Sequence, residues 1–406
     1  MKILKMSILF FFLFGTGYFL YNKLYIHEEK PKIIIGAREV TPTPIDKGTI
    51  FISPKGENNK ECNYTNPCNL NIGIKKSKSG DIVFFKGGIY DISSIIKNSK
   101  KRVKLNNGSK EKPIIYESYP NELAIFDGKN LQQNELGSII VRNYTHLRRV
   151  EVRNMKKVGI KIRGNYNIIE GVNSHHNKSA GVHIYNKNGY KNSHTGSYNI
   201  IKDCTIHHNS DTNTKYKGEN ADGISISSGK NNLITHNTVY ANSDDGIDTW
   251  KSINTTIEYS ISYNNGKGNG DGNGFKLGGD NNKSSPLGVG AIAKYNIAYN
   301  NKHNGFTENA GRKILIKNNI AYNNGNYGFT IFDKNSSIIN NIAYKNKKKE
   351  FYGNENIALN NSWQQQKNIK NNDFISLNPK SINFLKPTSN NHLSTIGPFV
   401  PKNNNK

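Results

Sequence analysis

A four-residue phrase ending in Asn, or once in Lys, returns along this chain and limits the folds open to it. It occurs at 174–177, 206–209, 239–242, 261–264, 297–300, 320–323 and 342–345, and it usually opens on Ile or Val. Val239 to Ile261 and Ile320 to Ile342 are each 22 residues apart, and Ile297 to Ile320 is 23. A second short apolar run precedes each phrase. A Gly leading into apolar residues follows it, at Gly181, Gly223, Gly246, Gly274, Gly305 and Gly328. A period of this size marks a solenoid, in which each turn buries its apolar side only against its neighbours. Three short strands per turn, joined by Asn and Gly corners, predict an all-β right-handed parallel β-helix with coils of about 22 residues. Asn at the same corner of successive turns is expected to stack as a ladder. The Leu pattern of a leucine-rich repeat is absent. Low complexity alone would supply the Asn without the phase.

Three intervals are longer, at 32, 33 and 36 residues. They imply inserts at 186–197, 211–219 and within 264–289. Loops on a rigid scaffold commonly carry binding, so these are expected to wall a groove. Before the repeats, Phe51 opens a strand, 69–77 has weak helical character and 80–85 returns to strand. A helix here would cap the open end of the solenoid and protect its first edge. The expected β-helix spans 49–361. An irregular tail at 362–406 is expected to pack on it or cap it.

Lys2 and Lys5 followed by the uncharged stretch 6–21 read as a signal peptide or an N-terminal membrane anchor over 1–21, with a polar tether at 22–48. Either way the remainder is expected to be secreted, cell-surface or periplasmic. Cys62 and Cys68 suit a small disulfide loop in such a compartment, and two cysteines alone make a poor zinc site. Cys204 reads as a small buried hydrophobe. Lys+Arg number 56 against 30 for Asp+Glu, a formal charge of +26. An AT-rich genome would also enrich Lys, Asn and Ile. The field nonetheless draws polyanions: nucleic acid, anionic lipid or acidic polysaccharide. No nucleic-acid-binding module is recognisable, so no nucleic-acid partner is expected. A monomer is expected.

Against this positive background, Asp222, Asp244, Asp245 and Asp248 fall close together. Asp-Gly is an ordinary turn pair, but the Gly phase gives these acids a common place. Asp222 and Asp245 each precede a phased Gly, so they stack on adjacent turns about 5 Å apart. Asp248 and Lys276 each lie two residues past one, so they project side by side on one face. Like charges repel at this range. A hard divalent cation held by Asp oxygens, calcium above all, resolves that. Lys276 is a candidate base, because lysine pKa values respond strongly to burial and charge. The pairs His175-His176 and His207-His208 occupy equivalent corners and read as stacked rather than metal-binding. Trp250 reads equally as a sugar platform or a core residue.

The strings Asn220-Ala-Asp-Gly223, Asn242-Ser-Asp-Asp-Gly-Ile-Asp-Thr-Trp250 and Gly270-Asp-Gly-Asn-Gly-Phe-Lys-Leu-Gly-Gly279 resemble those of family 9 polysaccharide lyases, the pectate-lyase-type β-helix enzymes. The similarity covers most of 50–360. It implies that Asp222, Asp244, Asp245 and Asp248 bind Ca2+ and that Lys276 is the base. The implied reaction is β-elimination on a uronic-acid polymer, pectate by default, with Lys276 held neutral and taking the C5 proton. Ile247 stands where relatives often carry an aromatic, which bears on a substrate subsite. Lys251, Lys267 and Arg312 are the expected holders of substrate carboxylates. A non-catalytic glycan-binding adhesin and a uronan C5-epimerase are the competing readings. Only elimination yields an unsaturated sugar.

Overall fold

The structure, a computed structural model, describes residues 50–399 apart from 59, 60, 97, 186–194, 281–284 and 390. The leader or anchor at 1–21, the tether at 22–48 and most of the insert at 186–197 lie outside the described residues. Among the described residues no helix is long and apolar enough to cross a membrane.

The described chain winds into three parallel sheets of twelve, ten and ten strands. Each coil gives one strand to each sheet. One full coil consists of Thr256–Glu258, Ile261–Tyr263 and Phe275–Leu277. The next rung pairs Ile257 with Ala293, Ser262 with Ala298 and Phe275 with Phe306, all in parallel register. This is the parallel β-helix that the repeat predicts.

Strands of the first two sheets send their middle residue inward, and most third-sheet strands send in the two that flank an outward middle residue, as Ile224 and Ile226 flank Ser225. Two early rungs include Ile201, Ile206 and Ile224 and then Ile234, Val239 and Ile247, all fully buried. Later rungs change composition together: Ile316, Ala321 and Phe329, then Ile338, Ala343 and Phe351. A large Phe from the third sheet is matched by a small Ala from the second. Phe275, Phe306 and Phe329 stack with centroids 4.6 and 5.0 Å apart. Ile247 therefore lies inside the coil, between Ile224 and Phe275. Its departure from an aromatic concerns core volume, with Val239 taking up the difference, and not the groove.

The corner after the second sheet carries a buried asparagine ladder: Asn177, Asn209, Asn242, Asn265, Asn301, Asn324 and Asn346. Each side-chain amide donates to the next Oδ1 at 2.9–3.1 Å. Each Oδ1 also accepts the backbone N–H of the previous ladder residue, as Asn324 does from Asn301 at 3.1 Å. The expected ladder exists, but its later members are one residue on from the phrase. Thr238, not Val239, pairs with Ile261. Asn264, Asn300 and Asn323 instead take the left-handed corner, with φ of 54, 53 and 52°. Asn accepts that conformation more readily than most residues, so two adjacent Asn positions carry different tasks and blur the phase. The Gly row is also set by the ladder. A Cβ on Gly246 would come within 2.9 Å of the Asn265 amide nitrogen and 2.6 Å of the Gly274 carbonyl oxygen.

At the N-terminal end the helix Leu70–Lys76 is capped by Asn69, whose side chain accepts from the N–H of Ile72. Leu70 is fully buried, and Ile72 and Ile74 pack on the solenoid core, so the helix covers the first coil's apolar edge. Cys62 and Cys68 form a disulfide beside it. Cys204 is a free, buried thiol within the core. At the other end Trp363 lies 5.3 Å from both Phe351 and Phe329. Gly397 donates its N–H to the carbonyl of Asn340 at 2.9 Å. Residues 370–388 form a small unit of their own, with a short 3-10 turn at Asn371–Asp373 and Phe384 and Leu385 buried.

Replacing one ladder residue strands its neighbours' buried polar groups, at about 1–3 kcal/mol for each. Asn324→Ala is expected to lower stability by about 3 kcal/mol, read as a fall in denaturation midpoint at constant m-value. An unchanged midpoint would show that the ladder does not hold the coils.

Candidate active site

The outward position in the middle of the third sheet runs Ser225, Asp248, Lys276, Thr307 on successive rungs. Asp248 and Lys276 are therefore direct neighbours across one rung, as their phase requires. One corner earlier the residue before the Gly row forms a second ladder. Asn304 donates its N–H and side-chain amide to Asn273 Oδ1 at 3.2 and 3.0 Å. Asn273 donates in the same way to Asp245 Oδ1 at 2.7 and 2.9 Å. The ladder then changes chemistry. An Asn at 245 would continue it with an amide donor, but Asp245 has only its backbone N–H to offer Asp222 Oδ1, at 3.3 Å. Its Oδ2 is buried without a hydrogen-bond partner.

Asp244 is turned into the same place, with its Oδ1 accepting the Asp271 N–H at 3.0 Å. Asp222, Asp244 and Asp245, all buried, each present an oxygen within 4.8 Å of the others. Asp248 is outside that triple. Its Oδ1 accepts the Trp250 N–H at 2.8 Å. Buried carboxylates crowded in this way fit a hard cation with oxygen ligands. Asp245 Oδ2 accepts no hydrogen bond and has only the Lys276 ammonium, at 3.1 Å, to balance it.

The electrostatics have the same cause. Burial, then the charges of Asp248 and Asp245, hold Asp222 well above the ordinary carboxylate range. Burial and then Asp245 and Asp222 push Asp244 up to about 9. Burial pushes Asp248 up to about 8, against the pull of Lys276 and with Asp245 and Asp244 adding to it. Lys276 lies 3.1 Å from Asp245 Oδ2 and 2.9 Å from Asp271 Oδ2. Burial favours its neutral amine, but Asp245, Asp248 and Asp271 outweigh burial and raise its pKa. In this state Lys276 is a held ammonium rather than the neutral amine that a base requires.

Asp271 escaped the reading of the sequence. Its side chain is 53 % exposed, and it sits in a glycine-rich stretch with no repeat phase to mark it. The other expected carboxylate holders are placed as follows. Lys251 Nζ is 3.4 Å from Asp280 Oδ1. Arg312 donates to the carbonyl of Leu287 at 3.2 Å and to that of Ser285. Lys267 is exposed within the insert, with its backbone N–H bonded to Ser243 O. Trp250 is half-buried against Gly279, where a Cβ would come within 2.8 Å of the ring. The His pairs stack as expected, 175 on 207 at 4.7 Å and 176 on 208 at 5.3 Å, and the column continues through Tyr240, Tyr263 and Tyr299.

Residues 50–337 match the family model described as "Pel9A-like, right handed beta helix region". The chain is 29 % identical over 363 residues to "Pectate lyase L" of Paenibacillus polymyxa (strain SC2), covering 83 % of this chain and 78 % of that one. It is 30 % identical over 333 residues to "Pectate lyase L" of Thermoclostridium stercorarium, covering 78 % of this chain but 24 % of that longer one. The crystal structure of pectate lyase Pel9A superposes with a TM-score of 0.70 at 23 % identity, over 88 % of this chain and 92 % of that one, and shares the fold.

Carboxylates raised in this way bind protons on folding. Their contribution to stability is complete below the ordinary value of 3.8 and is lost as pH rises through about 8 and about 9. In chelator the melting temperature is therefore expected to fall across that window, and saturating Ca2+ should flatten the fall. Lys276, raised rather than lowered, does not titrate there. A melting temperature indifferent to both pH and Ca2+ would contradict the cation pocket.

Proposed function

The chain belongs to the Pel9A-like right-handed β-helix family, and from that footing we propose that it is a calcium-dependent lyase cleaving pectate by β-elimination. It is a polysaccharide lyase of pectate-lyase type. The observation that carries the finer reading is Lys276 Nζ ion-paired at 3.1 Å with Asp245 Oδ2, in the group where Asp222, Asp244 and Asp245 converge.

Asp222, Asp244, Asp245 and Asp248 would hold the ion. Calcium so held supplies Lewis-acid stabilisation of the sugar's C6 carboxylate, which acidifies the C5 hydrogen. The chain's own residues account for the rest. Asp245 and Asp248, two of the three carboxylates that raise Lys276, would have their charge offset as ligands, leaving Asp271 to oppose burial, and the balance would shift toward the neutral amine. Lys276, on the outward face of the third sheet, takes the C5 proton as general base. The C5–H electron pair forms the C4–C5 double bond, and the C4–O bond breaks with its pair leaving on the departing sugar. Asp271, on the open side of Lys276, holds the ammonium formed and passes its proton to solvent.

The family resemblance and the basic composition support an acidic polysaccharide as partner, and an exported location is proposed from Lys2 and Lys5 ahead of the uncharged stretch 6–21 and from the Cys62–Cys68 disulfide. A C5-epimerase would use the same base but return a proton to C5, leaving no unsaturated product.

Incubation with polygalacturonate and Ca2+ is expected to give ultraviolet-absorbing unsaturated products, abolished by chelator. Lys276→Ala should lower turnover by about 10³-fold or more while keeping cooperative unfolding. Undiminished turnover would remove Lys276 from this role.

A further inference from the structure

The outward column that holds Lys276 continues toward the C-terminal end through Thr307, Thr330 and Tyr352. Rungs of a parallel sheet are about 4.8 Å apart, so Tyr352 lies about 14 Å from Lys276 along the face. Thr330 belongs to the strand Tyr327–Ile331 and Tyr352 to Lys349–Gly353. The two threonines make a low, uncharged floor, and at its end the face rises into aromatic rings. Tyr327 and Tyr352 stack with centroids 4.8 Å apart and planes at 20°. Phe332, the residue after the first of these strands, meets Tyr352 in a T-shaped contact at 5.1 Å and 89°.

Phe332 is 49 % exposed and Tyr352 48 %, so the rings pack on one another and still face solvent. Tyr327 stands on the corner row of Asp245, Asn273 and Asn304. It donates its backbone N–H to Asn304 Oδ1 at 3.2 Å, but its side chain has no amide to extend the row. That row therefore leaves amide chemistry twice, at the carboxylates and again three rungs on at Tyr327, and the two departures bracket the threonine floor. Cations adjoin the rings. Lys348 Nζ lies 5.5 Å from the Tyr327 centroid, and Lys349 pairs with Tyr327 on the next rung, both lysines being exposed. Exposed apolar surface rimmed by polar groups marks a place of binding. At about 200 Å² for a whole aromatic side chain, the half-exposed rings leave roughly 200–300 Å² open. A stable protein interface needs about 800 Å² from each partner, so the patch suits one or two sugars instead. A pyranose offers a face of C–H groups that packs on an aromatic ring, and a uronate adds a carboxylate for a neighbouring ammonium.

We propose that Tyr327, Phe332 and Tyr352, with Lys348 and Lys349, form a remote subsite that stacks a sugar of the bound uronate chain about three rungs from the bond cut at Lys276. The polymer then runs along the third sheet, across its strands, toward the C-terminal end of the solenoid. Chains long enough to reach the rings gain binding that shorter ones lack. The proposal rests on the elimination reading for the identity of the polymer.

The test compares the protein with a Phe332→Ala/Tyr352→Ala variant on two galacturonate oligomers, one too short to span about 14 Å and one that spans it. Initial rates are read from the absorbance of the unsaturated product. KM for the long oligomer is expected to rise about tenfold at unchanged kcat, with KM for the short one moving less than about twofold, as for loss of binding remote from the chemistry. Tyr352→Phe, which keeps the ring, should retain the long-chain KM, and thermal unfolding verifies that the variants fold. Should the double variant not unfold cooperatively, Phe332→Ala alone, outside either strand, repeats the test with about a threefold rise expected. An equal change at both lengths, or none, overturns the subsite. A long-chain KM unchanged while self-association is lost assigns the patch to a second copy and overturns it as well. If the unaltered protein eliminates neither oligomer, the elimination reading has failed. Calorimetric binding of the long oligomer then decides the subsite alone: about tenfold weaker binding by the double variant supports it, and equal binding overturns it.

Discussion

A buried asparagine carries two amide donors and an acceptor with two lone pairs, and inside a solenoid corner adjacent coils meet most of them. The column from Asn177 to Asn346 meets them by chaining each amide to the next. An unmet buried amide is costly, so the chain fixes the vertical register of every coil it touches. In a strand a slip of one residue exchanges inside for outside. With the register fixed, Ile247 stays inside and Asp248 stays outside, next to Lys276.

The acidic pocket is a local exception to the same device. At the neighbouring corner, Asn304 and Asn273 continue the amide pattern, and Asp245 and Asp222 replace it with oxygen. The carboxylates inherit the close spacing that amides tolerate, without the donors that make it tolerable. Their shared charge lifts their proton affinity and binds Lys276 as a counter-ion. The backbone geometry that stabilises the rest of the helix thereby creates a place of concentrated negative potential in a basic protein. On the proposed mechanism, cation binding and base activation are two readouts of one balance.

Much of this was legible in the sequence. The Gly row kept its phase through every interval, so the pairing of Asp248 with Lys276 followed from counting. The ladder's later register did not, because Asn264, Asn300 and Asn323 sit beside the true ladder members and are kept for their left-handed backbone instead. Identical residue types hid two different physical tasks. Lys251 and Arg312 looked like free cations, whereas their engagement with Asp280 and with the carbonyls of Ser285 and Leu287 depends on how the insert folds back, which no repeat encodes. Asp271 was invisible for the same reason.

The rung interiors have one more consequence. Ile234, Val239 and Ile247 fill one cross-section, while Ile338, Ala343 and Phe351 fill another with a different division of bulk. Bulk lost on one wall is met by bulk gained on another, as the small Ala343 is met by the large Phe351. A lineage built in this way drifts by compensated triplets: enlarging one wall opens a vacancy for a smaller partner on the opposite wall. Whole slices can be duplicated or exchanged, since each arrives already balanced, whereas a single graft from one slice into another would overfill or hollow out its host.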